Sequence, residues 1–245
     1  MTSSSSSKYP TGESRQRRGC ETPDTASAGA ISPYHKPGFY AQALAKGRHR
    51  DIVGGRWEET GRLQMALLQG QGLLPHHHLL DIGAGSLRLG CKAVPYLNPG
   101  HYWATDLSGE LMRTGRAKEL ADPARLPEDQ LIEDPDFTLT GLPDTITHVL
   151  AFAVFTHLPL DHLNRALGQI RAHFPKLQRL FFTAFLAPPN PALSHRQPDG
   201  VVTHASRAPY HHAAADILAL GAQHHLPLTL NDARLPRGQR LFIHG

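Results

Sequence analysis

The sequence predicts an α/β fold built on a single doubly wound sheet with helices on both faces. Three observations predict it. Leu79-Leu80-Asp81-Ile82 is a nearly continuous apolar run, the mark of a buried parallel strand. It breaks into Gly83-Ala84-Gly85 and continues into Leu87, Leu89, Ala93, Val94 and Leu97, which read as a helix face. His101–Asp106 is a second strand, entered from the turn Asn98-Pro99-Gly100 and ending in an acid. Two further apolar runs, Thr147–Ala153 and Arg179–Leu186, flank a helix with Leu163, Leu167, Ile170 and Phe174 at steps of 4, 3 and 4.

Composition narrows the class. A chain of 245 residues, 40% of them hydrophobic, holds one α/β domain of ordinary size plus extensions. It has no apolar run near ~18 residues and no apolar stretch at the N-terminus, so neither a membrane span nor a secretory signal is expected. Two cysteines, Cys20 and Cys91, make no disulfide framework, which points to a reducing cytoplasm. The net charge of +4 is unevenly spread. Residues 1–50 hold 8 Lys/Arg against 3 Asp/Glu, and residues 51–245 hold 17 against 18. A groove tracking nucleic-acid phosphates needs the reverse, so no specific nucleic-acid partner is expected.

Taken in order, residues 1–33 read as a disordered, basic, Ser-rich tail with too little apolar surface to offset ordering entropy. Its cluster Ser14-Arg15-Gln16-Arg17-Arg18 reads as solvated tail rather than an anchor for an acidic partner. Residues 34–76 form a cap segment carrying Tyr34, Phe39, Tyr40 and Trp57. Its helix, Glu58–Gln69, has Leu63, Leu67 and Leu68 on one face and ends at Gly70 and Gly72. His76-His77-His78 precede the first strand. Neighbouring residues of a strand alternate faces, so three in a row do not converge on a metal, and the same holds for His211-His212 and His224-His225. No Cys-x-x-Cys is present, and no metal site is expected.

The glycine turn suggests a ligand. A strand feeding a helix through such a turn leaves free backbone N–H groups at the helix start, where a polar or anionic ligand can sit. A purely structural turn is the plain alternative. Its spacing argues against a dinucleotide. The fingerprint G-x-G-x-x-G needs glycine where Arg88 stands, and the next glycine is Gly90, two places late. Asp81 at the entry would repel a pyrophosphate but suits an ammonium or sulfonium group. Asp106 follows Asp81 by 25 residues, close to the roughly 20 expected of a ribose-binding acid at a strand end. Its two oxygens can take both ribose hydroxyls. The alternative is that Asp106 only caps the helix of Ser108–Leu120.

The pattern Asp-x-Gly-x-Gly at Asp81–Gly85 resembles the first motif of class I S-adenosylmethionine-dependent methyltransferases. That resemblance spans roughly residues 50–245. It implies a Rossmann-like, seven-stranded sheet with an antiparallel last strand, and S-adenosyl-L-methionine as cofactor. It places Asp81, Gly83, Ala84, Gly85 and Ser86 beside the cofactor's methionine part, with Asp106 and Leu107 at the ribose. Ala151 on the fourth strand and Trp57 in the cap complete the expected cofactor contacts. Gly54-Gly55-Arg56-Trp57, Gly61-Arg62-Leu63-Gln64 and Gly72-Leu73-Leu74-Pro75 resemble the cap of a bacterial subgroup. Plain packing of this helix on the sheet is the alternative there.

Beyond the second helix comes an acidic loop from Glu128 to Asp136, read as solvated surface, and then a third strand, Phe137–Thr140. Family members often follow that strand with a group that meets adenine; here Gly141-Leu142-Pro143 follows and Asp144 comes late. The stretch Leu150–Asp161 resembles the family's fourth-motif region. It lacks the Asn/Asp-Pro-Pro-Tyr/Phe signature of enzymes that methylate amino groups of bases or glutamine. His157 stands on the acceptor side, as a base or as a packing and capping residue. Tyr210 and His211, in a phrase Pro-Tyr-His similar to the same subgroup, are further acceptor-side candidates or a plain surface lead-in. Residues 187–208 read as a lid-like insertion at the active edge. Leu226–Asn231 and Gln239–His244 are the closing strands. The implied activity is methyl transfer to a small molecule at oxygen or nitrogen, by a monomer or homodimer. A macromolecule methyltransferase, a non-catalytic S-adenosylmethionine-binding scaffold and, last, a nicotinamide-dependent oxidoreductase are the rivals.

Overall fold

The computed structural model describes Met1 and residues 31–190, 192–233 and 235–245. The chain runs through α1 (Phe39–Ala45), α2 (Trp57–Gly70), β1 (Leu79–Ile82), α3 (Gly90–Tyr96), β2 (Tyr102–Asp106), α4 (Gly109–Glu119), β3 (Leu131–Glu133) and β4 (His148–Ala151). It continues through α5 (Leu160–His173), β5 (Arg179–Leu186), β6 (Ser194–Arg196), β7 (Val202–His204), β8 (His211–His212), α6 (Ala214–Gln223), β9 (Leu228–Asn231) and β10 (Arg240–His244). The main sheet has the order β3-β2-β1-β4-β5-β10-β9, and the two-residue β8 adds to the end of β5. Strands β1 to β5 are parallel, and β10 runs antiparallel to both β5 and β9. The seven expected strands and their antiparallel closure are present.

The two-residue period of a strand divides the core. Leu79, Phe181 and Leu241 face α2, α3 and α4 on one side, with Leu87, Val94 and Met112. Their neighbours Leu80, Phe182 and Phe242 face α5 and α6, with Leu163, Leu167, Ile170 and Ile217. Phe182 and Phe242 are direct cross-strand partners and stack at 5.3 Å. His77 stacks on His148 and His78 on His101 at the amino ends of the strands. Among the described residues, no group of three or more His, Cys, Asp or Glu is arranged to hold a metal ion.

Four expectations need correction. The third strand is Leu131–Glu133, paired with Ala104–Asp106, and not Phe137–Thr140. Phe137 and Leu139 alternate because both plug the core from a loop, each with a left-handed backbone (φ 57° and 56°). Asp134 pins that loop, accepting from Thr138 N at 2.9 Å, Thr138 Oγ1 at 3.1 Å and Leu139 N at 2.9 Å. The first helix after the glycine turn starts only at Gly90. The insertion 187–208 has structure of its own, the antiparallel hairpin β6–β7. Of the expected tail 1–33, residues 2–30 lie outside the described residues, whereas Ser32 is 1% exposed and accepts the Tyr34 N–H at the start of the 3-10 turn Pro33–His35.

Helix α4 packs against the glycine turn closely enough that a Cβ on Gly115 would collide with the Ser86 backbone. In an open helix, Gly→Ala gains up to about 1 kcal/mol. In Gly115→Ala the collision should win, with a loss of about 1–3 kcal/mol in urea unfolding. Gly70→Ala, where nothing lies within 4 Å of the added carbon, should be neutral or stabilising. Equal stability of the two variants would refute the packing argument.

Candidate active site at the carboxyl ends of the strands

The register of β1 against β2 puts Ile82 opposite Thr105, so the glycine turn and Asp106 emerge together. They form the floor of a cavity at the carboxyl ends of the strands, where ligands bind in doubly wound sheets. Gly83 (φ 71°) and Gly85 (φ 57°) take left-handed conformations. A Cβ on Gly83 would run into Val154, and one on Gly85 into Val53. Leu87 is left-handed as well (φ 61°) yet fully buried. The backbone penalty of about 1–2 kcal/mol is offset by the roughly 1.5–3 kcal/mol that burying a leucine contributes.

The N–H groups of Gly83, Ala84 and Gly85 are not free, against the expectation from the sequence. Gly83 N and Ala84 N donate to Thr105 O at 2.7 and 3.0 Å, and Gly85 N donates to Asp106 Oδ2 at 2.8 Å. Helix α3, which begins five residues later, has its own start elsewhere. Gly83–Gly85 is therefore a shaped cradle whose own N–H groups are spent.

Two buried carboxylates face this cradle. Asp81 accepts from Tyr102 OH at 2.7 Å. Burial pushes its pKa up to about 7, against the pull of the Tyr102 hydrogen bond and the Arg88 guanidinium. Asp106 accepts from Gly85 N through Oδ2 and from Ser108 N, at 3.0 Å, through Oδ1. Burial pushes it up to about 6, and the backbone N–H groups hold it from rising further. Asp106 steadies the entry to α4, the role of the capping alternative, and it also lines the cavity. The side-chain cap of α4 is Ser108, whose Oγ accepts from Leu111 N at 3.2 Å.

The leader forms the roof. Tyr34, Tyr40, Val53 and Gly54 line the cavity from above. Arg88 Nη1 holds this segment by donating to Val53 O at 2.9 Å and Gly55 O at 3.2 Å. Arg237 Nη2 donates to Gly54 O at 2.6 Å. His157 lines the remaining wall, with the Tyr34 ring edge-on at 4.9 Å. Burial, with the Arg237 charge second, pushes the His157 pKa down to about 4, so its ring is neutral at pH 7.

Of the residues expected at the site, Asp81, Gly83, Ala84, Gly85, Asp106, Leu107 and His157 line this cavity. Others do not. Ser86 is fully buried behind the turn and Ala151 within β4. Trp57 stacks beneath the Arg50 guanidinium, 5.1 Å from its ring centre, outside the cavity. Tyr210 OH donates to Ile31 O at 3.2 Å. His211 sits between Thr203 Oγ1 at 2.9 Å and Ala192 O at 3.1 Å. Both are structural ties in this arrangement. Arg88, Arg237, Gln64 and Gln239 line the cavity as well; Gln64 belongs to the cap phrase, whereas nothing in the sequence marks Arg237 or Gln239 as a site residue. Arg88 was visible only as a breach of the dinucleotide fingerprint. The acid that follows β3, Asp134, also lines the cavity, but the loop of Thr138 and Leu139 occupies its carboxylate.

No family model matches this sequence, and no curated protein matches it. Solved structures do. Magnesium protoporphyrin IX methyltransferase (ChlM) from Synechocystis PCC 6803, with bound SAM, superposes with a TM-score of 0.54 over 86% of this chain and 92% of its own, at 16% identity. SAM-bound CalS10, an amino pentose methyltransferase from Micromonospora echinaspora, gives a TM-score of 0.55 over 83% and 95%, also at 16% identity. At this identity the likeness establishes the fold, which is that of these methyltransferases.

Removing the Tyr102 hydroxyl tests the electrostatics of the floor. Tyr102→Phe takes away a hydrogen bond to the charged form of Asp81, so the Asp81 pKa should rise further above about 7. The stability loss should be about 1.5–3 kcal/mol at pH 8.5, where Asp81 is ionised, and smaller at pH 5.5, where it is protonated. A loss independent of pH in denaturant titrations would contradict this account of Asp81.

Proposed function

We propose that this chain, which has the fold of class I methyltransferases, transfers a methyl group from S-adenosyl-L-methionine to the oxygen or nitrogen of a small-molecule acceptor. The observation that carries the reading is the buried carboxylate of Asp106, fixed at the end of β2 beside a glycine turn whose N–H groups are already used. Each Asp106 oxygen accepts one backbone N–H and keeps lone pairs for a ribose diol. A glycine turn whose Gly83, Ala84 and Gly85 N–H groups are spent, with two carboxylates beside it, favours a ligand with hydroxyl and cationic groups over a phosphate.

The residues fit the cofactor. Gly83 and Gly85 leave room that any Cβ would fill. Asp106 would take the ribose hydroxyls and Asp81 the ammonium group. When bound, S-adenosylmethionine supplies an electrophilic methyl group whose carbon–sulfur bonding electrons return to sulfur. The chain supplies the rest. The roof of Tyr34, Tyr40 and Val53 excludes water and holds the acceptor in line. Neutral His157 accepts the proton that the acceptor oxygen or nitrogen gives up as it forms its new bond. In this reading the leader 34–76 is the cap and the 187–208 hairpin borders the acceptor pocket. No helix among the described residues is long and apolar enough to cross a membrane. We place the protein in the cytoplasm, as a monomer or homodimer without a nucleic-acid partner.

Calorimetric titration with S-adenosylhomocysteine should give micromolar binding, lost in Asp106→Ala while circular dichroism shows the variant folded. Absence of binding to the folded wild-type chain would remove the methyltransferase reading. The affinity should also fall in acid. Asp106 and Asp81 accept from the ligand as carboxylates and protonate near pH 6 and 7. Binding at pH 5 should be at least about tenfold weaker than at pH 7.5, the loss expected from Asp106 alone, and weaker still where Asp81 must also be ionised. A flat profile in this window would show that the ionised forms are not needed.

A further inference from the structure

The wall facing the acceptor side is rich in donors and has no free carboxylate. Arg237 and Gln239 lie at the start of β10, across β4 and β5 from the two aspartates of the floor. Arg237 spends Nη2 on Gly54 O, which leaves Nε and Nη1 without a protein acceptor among the described residues. The ion pairs of those residues do not include it. Its backbone is left-handed (φ 67°, ψ 14°) between Pro236 and Gly238. A non-glycine residue held there is strained, and strain of this kind clusters at binding sites.

The polarity of Gln239 is set by a relay. Ala153 N donates to Thr183 Oγ1 at 2.7 Å. The single Thr183 proton is then free to reach Gln239, which it does at 2.6 Å. In that contact the Gln239 atom is Oε1, accepting the Thr183 proton, so the amide NH2 is the end left for the cavity. Gln239 is 5% exposed, and its Nε2 has no protein acceptor among the described residues. The carboxylate of Asp134, which also lines the cavity, is committed to its loop. Tyr34, Leu158, Phe185 and Pro209 add apolar surface to the same cavity, where Gln239 is buried and Arg237 lies at the solvent-exposed rim.

We infer that the methyl acceptor carries a carboxylate on a flat, apolar, ring-sized body, with the carboxylate held by Arg237 and Gln239 Nε2 beside His157. The inference rests on the methyl-transfer reading for the word acceptor, whereas the anion site stands on its own geometry. A guanidinium and an amide lining one cavity can match the two oxygens of a carboxylate, and a neutral amide analogue would set its own NH2 against them.

The test is calorimetric titration of the full chain, saturated with S-adenosylhomocysteine, at pH 7.5. The probes are a series of hydroxybenzoates and hydroxycinnamates, each paired with its primary amide. At least one acid should bind about tenfold or more tightly than its amide. Arg237→Gln should bring that ratio to within about threefold, and Arg237→Lys should keep part of it. S-adenosylhomocysteine binding in each variant reports whether the cavity is intact. The inference falls if no acid of the series binds, if acids and amides bind alike, or if Arg237→Gln keeps the preference. Failure of S-adenosylhomocysteine to bind the folded wild-type chain would instead strike the cofactor reading. The same pairs titrated into the free chain would then still decide the anion site.

Discussion

One carboxylate ties the working end of this molecule together. Asp106 joins the end of β2, the glycine turn after β1 and the entry to α4 through two hydrogen bonds to backbone N–H groups. Burying a carboxylate is costly, and the rise of its pKa to about 6 records that cost. It is tolerated because Gly85 N and Ser108 N would otherwise be buried donors with no partner. The result is a glycine turn pulled against β2, with a polar floor poised for hydroxyl groups.

The roof is held in a different way. Helix α2 sends Met65 and Leu68 into the core, whereas α1 has no buried residue, so the part of the leader ahead of α2 contributes little to either core. Point contacts fasten it instead. Arg88 and Arg237 hold the carbonyls of Val53 to Gly55, and Glu119 takes His49 and Arg50 at 2.7 and 2.6 Å. A segment fastened by a few polar contacts opens at much lower cost than a sheet with apolar layers on both faces. Floor and roof therefore differ in stiffness. The floor fixes geometry, while the roof supplies rings and closure.

Much of the fold was legible because its signals are local. The face of α5 and the strands β1 and β5 follow from apolar spacing within a few residues of each other. The third strand was misread for a reason that is also physical. Phe137 and Leu139 alternate with threonines as strand residues do, yet Pro135 and the Asp134 side chain turn the chain, and β2 pairs with Leu131–Glu133 before that point. Period-2 alternation reports which residues are buried, and a loop residue in a left-handed conformation can satisfy it as well. The hairpin in 187–208 was missed because β6 and β7 are three residues each, too short for a periodic signal.

The site divides along the same line. The sequence by itself determined the glycine turn, the acids at Asp81 and Asp106 and the helix-leading His157, because each sits at a strand end whose position follows from local pattern. Only the tertiary structure decided what meets them. Tyr34, Arg88, Arg237 and Gln239 enter the cavity, while Trp57, Ser86, Ala151, Tyr210 and His211 turn elsewhere. The physical reason is separation along the chain. The bond from Arg237 to Gly54 spans 183 residues and that from Tyr210 to Ile31 spans 179. Which side chain faces the cavity depends on such closures between distant segments, and no residue's immediate neighbours in sequence encode them.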